Sequence, residues 1–170
     1  MTLAIAARVA RQLRHDPRTL ALVTFVPSIL VWLVHQIFDG EEPISSQVEM
    51  TLLAMFPLLL MFLLTAVATV RERSGGTLER LMAAPIHKID VIGGYALAYG
   101  ALAIVQTSLL TAVCYWGLDM QLRGGIVWML LVSLATALLG IALGLLASAV
   151  SRSEFQAVQF MPIVVLPQVL

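Results

Sequence analysis

Hydrophobic residues in this chain fall in long blocks separated by short polar stretches. LALVTFVPSILVWLVHQIF (residues 20–38) and MTLLAMFPLLLMFLLTAVATV (50–70) contain no Asp, Glu, Lys or Arg. At 1.5 Å per residue, each block is about long enough to cross a hydrocarbon core of roughly 30 Å as an α-helix. In the second block about eleven Leu, Phe and Val residues contribute roughly −0.3 to −0.6 kcal/mol each, so insertion is favoured by ~3 to 6 kcal/mol before polar corrections. VIGGYALAYGALAIVQTSLLTAVCYW (91–116) and IVWMLLVSLATALLGIALGLLASAV (126–150) follow, both long enough to span with tilt. A fifth block, VQFMPIVVLPQVL (158–170), covers about two-thirds of a crossing. The expectation is a complete protein that finishes this helix and adds at least one more.

The polar stretches give the orientation. Arg8, Arg11, Arg14 and Arg18 precede the first block, Arg71, Arg73, Arg80 and Lys88 lie between the second and third, and Arg152 follows the fourth. The alternate loops carry only Arg123, together with Asp39, Glu41, Glu42, Glu49 and Asp119. By the positive-inside rule the N-terminus and loop 71–90 are cytoplasmic. No cleavable signal peptide is expected, because the first block is too long and starts too late. On a helical wheel Leu3, Ile5, Ala6, Val9, Ala10 and Leu13 share one side of residues 1–19, Arg8, Arg11, Arg14 and His15 share the other, and Pro17 ends the segment. This segment reads as an amphipathic helix lying on the inner leaflet. The pattern fits equally a positively charged flank and a dedicated elbow helix.

Composition agrees with this class: 60% of residues are hydrophobic and 12% charged, far from a soluble domain. Formal net charge is zero, which leaves no basic surface for nucleic acid. Cys114 lies in an apolar block and reads as a small core residue. His15, His35 and His87 fall in three separate segments without metal-ligand spacing, so no metal site is expected. No nucleophile with a base and no paired carboxylates stand near the bilayer, so no catalytic residue is assigned. All ten acidic and all ten basic side chains fall outside the blocks or at their edges, unlike the intramembrane charges of many ion-driven carriers. A P-loop is also absent, since Lys88 is the only lysine and no glycine pattern precedes it. If ATP powers this protein, another subunit binds it.

The loop TVRERSGGTLERLMAAPIHKID (69–90) has a plan of its own. Ser74-Gly75-Gly76 should break the helix that continues from the second span. Thr77 can N-cap a short helix LERLMAA with Glu79 in its first turn and Pro85 as its stop. Leu78, Leu81 and Met82 form one apolar face about two turns long, which is too short to be stable unless it packs on something. From the residues alone, the inner ends of the spans and a soluble partner are equally good candidates for that contact.

RERSGGTLERLMAAP followed by a glycine-containing span resembles the cytoplasmic loop of ABC-2 type transporter permeases, the membrane subunits of ABC exporters, and of their drug- and antibiotic-efflux branch in particular. SRSEFQAVQFMPIVVLP resembles the opening of that family's fifth span, and the likeness covers nearly the whole chain. It implies an all-α polytopic bundle of six spans with an interfacial N-terminal helix, five spans being begun here. In the family the loop helix docks on an ATPase subunit. The resemblance therefore assigns Glu72, Gly76, Thr77, Leu78, Glu79 and Pro85 to that docking, and Leu81 and Met82 join them through the apolar face they share with Leu78. ATP and magnesium would sit on the partner, a second permease half, identical or different, would complete the path, and lipid would surround it. It implies a multi-pass protein of a prokaryotic plasma membrane exporting a drug-like, lipid or other amphipathic substrate. An ATP-independent secondary carrier and a non-transporting scaffold are the alternatives from other classes.

Three further features stand inside the spans. Gly140 and Gly144 form a GxxxG pattern that lets helix backbones approach closely, although chance also produces it in a helix this rich in small residues. Gln106, Thr107 and Ser108 put polar groups near the middle of the third span, facing a substrate path or, more simply, a neighbouring helix. Pro27, Pro57, Pro162 and Pro167 are expected to kink their helices.

Overall fold

In a computed structural model, residues 1–38, 44–76, 87–118 and 125–164 are described, and among them there is no β-strand. The helices are α1 (Thr2–Arg14), α2 (Pro17–Phe38), α3 (Ile44–Ser74), α4 (Lys88–Ala112), α5 (Gly125–Val150) and the short α6 (Glu154–Gln159), with a π-helical turn Val113–Gly117 prolonging α4. Four of them are long and apolar enough to cross a membrane. The short helix expected at residues 77–84 lies outside the described residues, as do Thr77, Leu78, Glu79, Leu81, Met82, Pro85 and Pro167.

Several helices begin before their apolar block does, α2 at Pro17, α3 at Ile44 and α4 at Lys88. The apolar block marks the part matched to hydrocarbon, whereas the backbone ladder continues into the interface, where polar side chains cost nothing. The fifth block shows the same shift. Its helix starts at Glu154, N-capped by Ser153, whose hydroxyl accepts a hydrogen bond from the Gln156 N–H at 3.2 Å. A turn at Phe160 ends α6 and a further helical turn, 161–164, contains Pro162. Pro27 and Pro57 lie inside α2 and α3, and neither interrupts its helix.

The centre of the bundle is α3 against α5. A Cβ added to Gly140 would stand 2.3 Å from the Leu58 carbonyl oxygen, and one on Gly144 would stand 2.7 Å from that of Phe62. Only glycine permits backbones this close, so Gly140 and Gly144 set the contact. Pro57 has no N–H to give the Leu53 carbonyl one turn earlier, and the Ser133 hydroxyl of α5 approaches that carbonyl at 3.4 Å. α4 packs into this pair through Tyr95, Tyr99 and Ala103, which join Met61, Leu64, Ala137 and Ile141 in one buried cluster. Cys114 is buried with Val31, Leu53, Leu110 and Met129. α2 leaves Phe25, Ile29, Trp32 and Leu33 exposed on its outer face.

α1 differs from the wheel in two places. It packs on α4, where Gly94 admits Ile5 so closely that a Cβ there would lie 2.6 Å from the Ile5 methyl carbon. Ile5 and Val9 are buried as expected, but Leu3, assigned to the same side, is 78% exposed. Arg8, assigned to the polar side, turns inward. Contact with α4 selects a narrower stripe than the wheel does, and a buried carboxylate reorients the arginine.

Candidate functional site

The C-terminal end of α3 carries Arg71, Glu72 and Arg73, three adjacent residues that point about 100° apart around the helix. Each therefore reaches a different neighbour.

Glu72 faces inward with its side chain only 5% exposed. Its Oε2 receives Arg8 Nη2 of α1 at 2.9 Å and the Tyr95 hydroxyl of α4. Arg8 Nη2 also donates to the Tyr95 hydroxyl oxygen at 3.2 Å. Carboxylate, guanidinium and phenol thus close a triangle that joins α1, α3 and α4. Removing one member of such a buried pair strands the other charge, at a cost of about 3 to 5 kcal/mol.

Arg71 forms a two-pronged pair with Glu154 at the start of α6, Nε at 2.9 Å from Oε1 and Nη2 at 3.1 Å from Oε2. Both side chains are largely exposed, so the link is weak, roughly 0 to 1 kcal/mol, but its geometry is specific. The guanidinium holds Glu154 below the usual carboxylate range. Arg73 donates to the Ala149 carbonyl at 3.3 Å and to the Ser151 carbonyl, supplying donors that the end of α5 lacks. These three side chains form a collar that ties α3 to α1, α4, α5 and α6.

Immediately beyond the collar the helix stops. Gly75 still donates to the Arg71 carbonyl at 3.0 Å, Gly76 donates to that of Arg73 at 3.1 Å, and Gly76 adopts φ +70°. That left-handed conformation ends the helix and suits glycine. On the far side of the loop α4 starts after His87, with Asp90 in its first turn and accepting the Thr2 hydroxyl of α1 at 2.6 Å. Both roots of the loop are thus fastened to α1, through Glu72 and through Asp90. Nearby, Asp16 is held below its usual range by hydrogen bonds from the Thr19 hydroxyl and N–H.

Among the residues singled out from sequence, Glu72 and Gly76 meet at this collar. Glu72 presents its carboxylate to Arg8 and Tyr95, so whatever it contributes to the loop passes through them. Gly140 and Gly144 lie at the α3–α5 contact, away from the collar. Gln106 and Thr107 are fully buried in α4, and Ser108 is exposed on another face. Thr107 donates to the Ala103 carbonyl of its own helix at 2.8 Å. No group of three or more His, Cys, Asp or Glu suited to a metal occurs among the described residues.

Sequence reasoning missed Arg8, Tyr95 and Glu154 as a set. The readable signal was an Arg-Glu-Arg run at a helix end opposite tyrosines spaced four apart, Tyr95 and Tyr99, whose hydroxyls need partners when buried.

Residues 2–170 match the family model described as ABC-2 type transporter. The chain is similar to ABC transporter G family member 20 of Dictyostelium discoideum, 33% identical over 96 residues, which are 56% of this chain and 13% of that protein. It is also similar to ABC transporter G family member 23 of the same organism, 27% identical over 94 residues, 55% of this chain and 13% of the relative. The matched region thus covers 13% of the length of each relative. No solved structure matches the chain.

Proposed function

The chain belongs to the ABC-2 type transporter family, and from that premise we propose that it forms the membrane path of an ABC exporter powered by ATP hydrolysed on a separate subunit. It is a multi-pass membrane protein and a membrane component of an ABC transporter. ATP and magnesium belong to the partner, which docks on residues 77–85 of the loop, and a second permease half completes the path. The substrate is drug-like, lipid or otherwise amphipathic, moving outward across the plasma membrane of a prokaryotic cell. Nucleic acid has no part in it.

One observation carries this reading: the helix that enters the loop ends in three consecutive side chains joined to α1, α4, α5 and α6, followed at once by Gly75 and Gly76. A push on the loop thereby reaches the bundle as movement of a rigid helix end, while the glycines let the loop itself turn. Translating α3 requires no long chain of contacts, because the collar distributes the displacement within one helical turn.

Leu81→Arg in the full complex tests it. ATP hydrolysis should persist while export falls at least tenfold. Unchanged export together with unchanged complex formation would overturn the docking assignment. Intact-complex mass measurement in lipid nanodiscs should give two permease-sized and two ATPase-sized subunits; a reproducible homodimer without ATPase would refute the exporter reading.

A further inference from the structure

The three guanidinium groups of the inner collar are not equivalent. Arg8 faces Glu72 and Arg71 faces Glu154, but among the described residues Arg73 is held only by two backbone carbonyls, those of Ala149 and Ser151. A guanidinium has five N–H donors, so several remain for an anion. Arg73 is half-buried, and among the described residues no carboxylate pairs with its charge.

Arg73 stands at the head of a crevice of about 740 Å³ between α4 and α5. Thr69 and Arg73 of α3 form its floor, Ile92 and Ala96 line the α4 side, and Ala142 and Leu146 line the α5 side. The alanines give the crevice its width. Its lips are exposed, Ile92 by 57% and Leu146 by 64%, so in a bilayer the opening faces lipid. Along α5 the lining runs from Leu138 to Ala149, about 16 Å at 1.5 Å per residue. That matches one leaflet, half of a hydrocarbon core of roughly 30 Å. Arg73 lines the end of the crevice nearest the close of α5, and Arg152, exposed and next in the chain after Ser151, lies outside the lining but on the same side of the bundle as the Ser151 carbonyl that Arg73 holds. Among the described residues, Asp90, Glu72 and Glu154 are engaged elsewhere, Asp90 with Thr2, Glu72 with Arg8 and Tyr95, and Glu154 with Arg71.

We infer that this crevice is a binding site for one anionic glycerophospholipid of the inner leaflet. Its phosphate lies on Arg73 and Arg152 and an acyl chain follows the groove between α4 and α5. The lipid supplies the negative charge that the collar gives to its other two arginines, so it completes the α3–α5 link at the root of the loop. A basic pocket between membrane helices on the cytoplasmic side is the setting in which anionic headgroups are recognised, each basic residue near the surface adding about fivefold in affinity. A zwitterionic lipid fills the groove equally well but gains little from the two arginines.

The test uses the full complex, delipidated in detergent and titrated with dioleoyl phosphatidylglycerol, dioleoyl phosphatidylcholine or inorganic phosphate, with bound lipid counted by native mass spectrometry. The expected result is about twenty-fivefold tighter retention of one phosphatidylglycerol than of phosphatidylcholine. Arg73→Gln and Arg152→Gln should each reduce that preference to about fivefold. Because Arg73→Gln also disturbs α5, Ala142→Trp provides a separate check: it fills the groove without touching the collar and should abolish retention of the lipid. Equal retention of the two lipids, or a preference that survives both Arg152→Gln and Ala142→Trp, overturns the proposal. Displacement of the lipid by millimolar phosphate would reduce the site to a bare anion site and also overturn it. None of these readouts depends on transport or ATP hydrolysis, so the exporter assignment can fail while this one stands.

Discussion

At its inner end α3 reaches its neighbours with three charged side chains, whereas about 20 Å deeper the same helix meets α5 backbone to backbone at Leu58 and Phe62. The two regions solve the same problem in different solvents. In hydrocarbon, apolar side chains gain nothing by leaving lipid for each other, so association depends on close contact, and glycines allow it. At the interface charged side chains can make the links instead, one pair buried at Arg8–Glu72 and one exposed at Arg71–Glu154. The deep contact is therefore set by close packing, and the collar by charge and direction.

The sharpest way to break the deep contact is Gly140→Leu. The new Cβ would fall within 2.3 Å of the Leu58 carbonyl oxygen, which cannot move without shifting α3 itself. We expect loss of the monodisperse protein on size-exclusion chromatography. Gly100→Ala should leave the profile unchanged, since nothing lies within 4 Å of that position. Equal behaviour of the two variants would remove the close-packing argument.

Next in size is Glu72→Ala, which leaves the Arg8 guanidinium partly buried without its carboxylate. The expected loss is about 3 kcal/mol, or roughly a 10 °C fall in the thermal midpoint. Replacing both partners, Arg8→Met with Glu72→Leu, should recover more than half of it. A double variant as unstable as the single one would show that the triangle adds nothing beyond packing.

The smallest effect belongs to the exposed arm of the collar. Arg71→Gln or Glu154→Gln should cost no more than about 1 kcal/mol, and added salt should shrink the difference further. Because Arg71 depresses the folded-state pKa of Glu154, its contribution is present above the unfolded pKa of about 4.3 and fades as pH falls through the lower folded value. Melting curves at neutral and acidic pH should therefore converge between wild type and Glu154→Gln. A difference that grows on acidification would reverse the assigned sign.

Much of the architecture could be read along the chain. Four blocks without charge predicted four long helices, and the structure has four helices long and apolar enough to cross a membrane. Gly75 and Gly76 predicted the end of α3, and Gly76 does adopt a left-handed φ. Arg8 was not legible in the same way. On a wheel it lies about 60° from Ile5, at the border of the buried stripe, and only a carboxylate on another helix decides which way it turns. Leu3 shows the converse, since hydrophobicity placed it inward while α4 offers it no contact, and it stays exposed. Gln106, Thr107 and Ser108 are consecutive in sequence but helical rotation separates Ser108 from the other two.

The sequence by itself determined what any single helix can settle: which segments are apolar enough to enter lipid and where the backbone must break. Those follow from transfer free energies and local backbone freedom, quantities that belong to one segment at a time. Only the tertiary structure decided that Arg71, Glu72 and Arg73 serve three different neighbours and that Gly94 receives Ile5. It also decided that the Arg73 guanidinium lines a crevice between α4 and α5 and is held there by two backbone carbonyls. Partners for a buried charge are fixed by distance and direction across helices, and no one-dimensional pattern carries those.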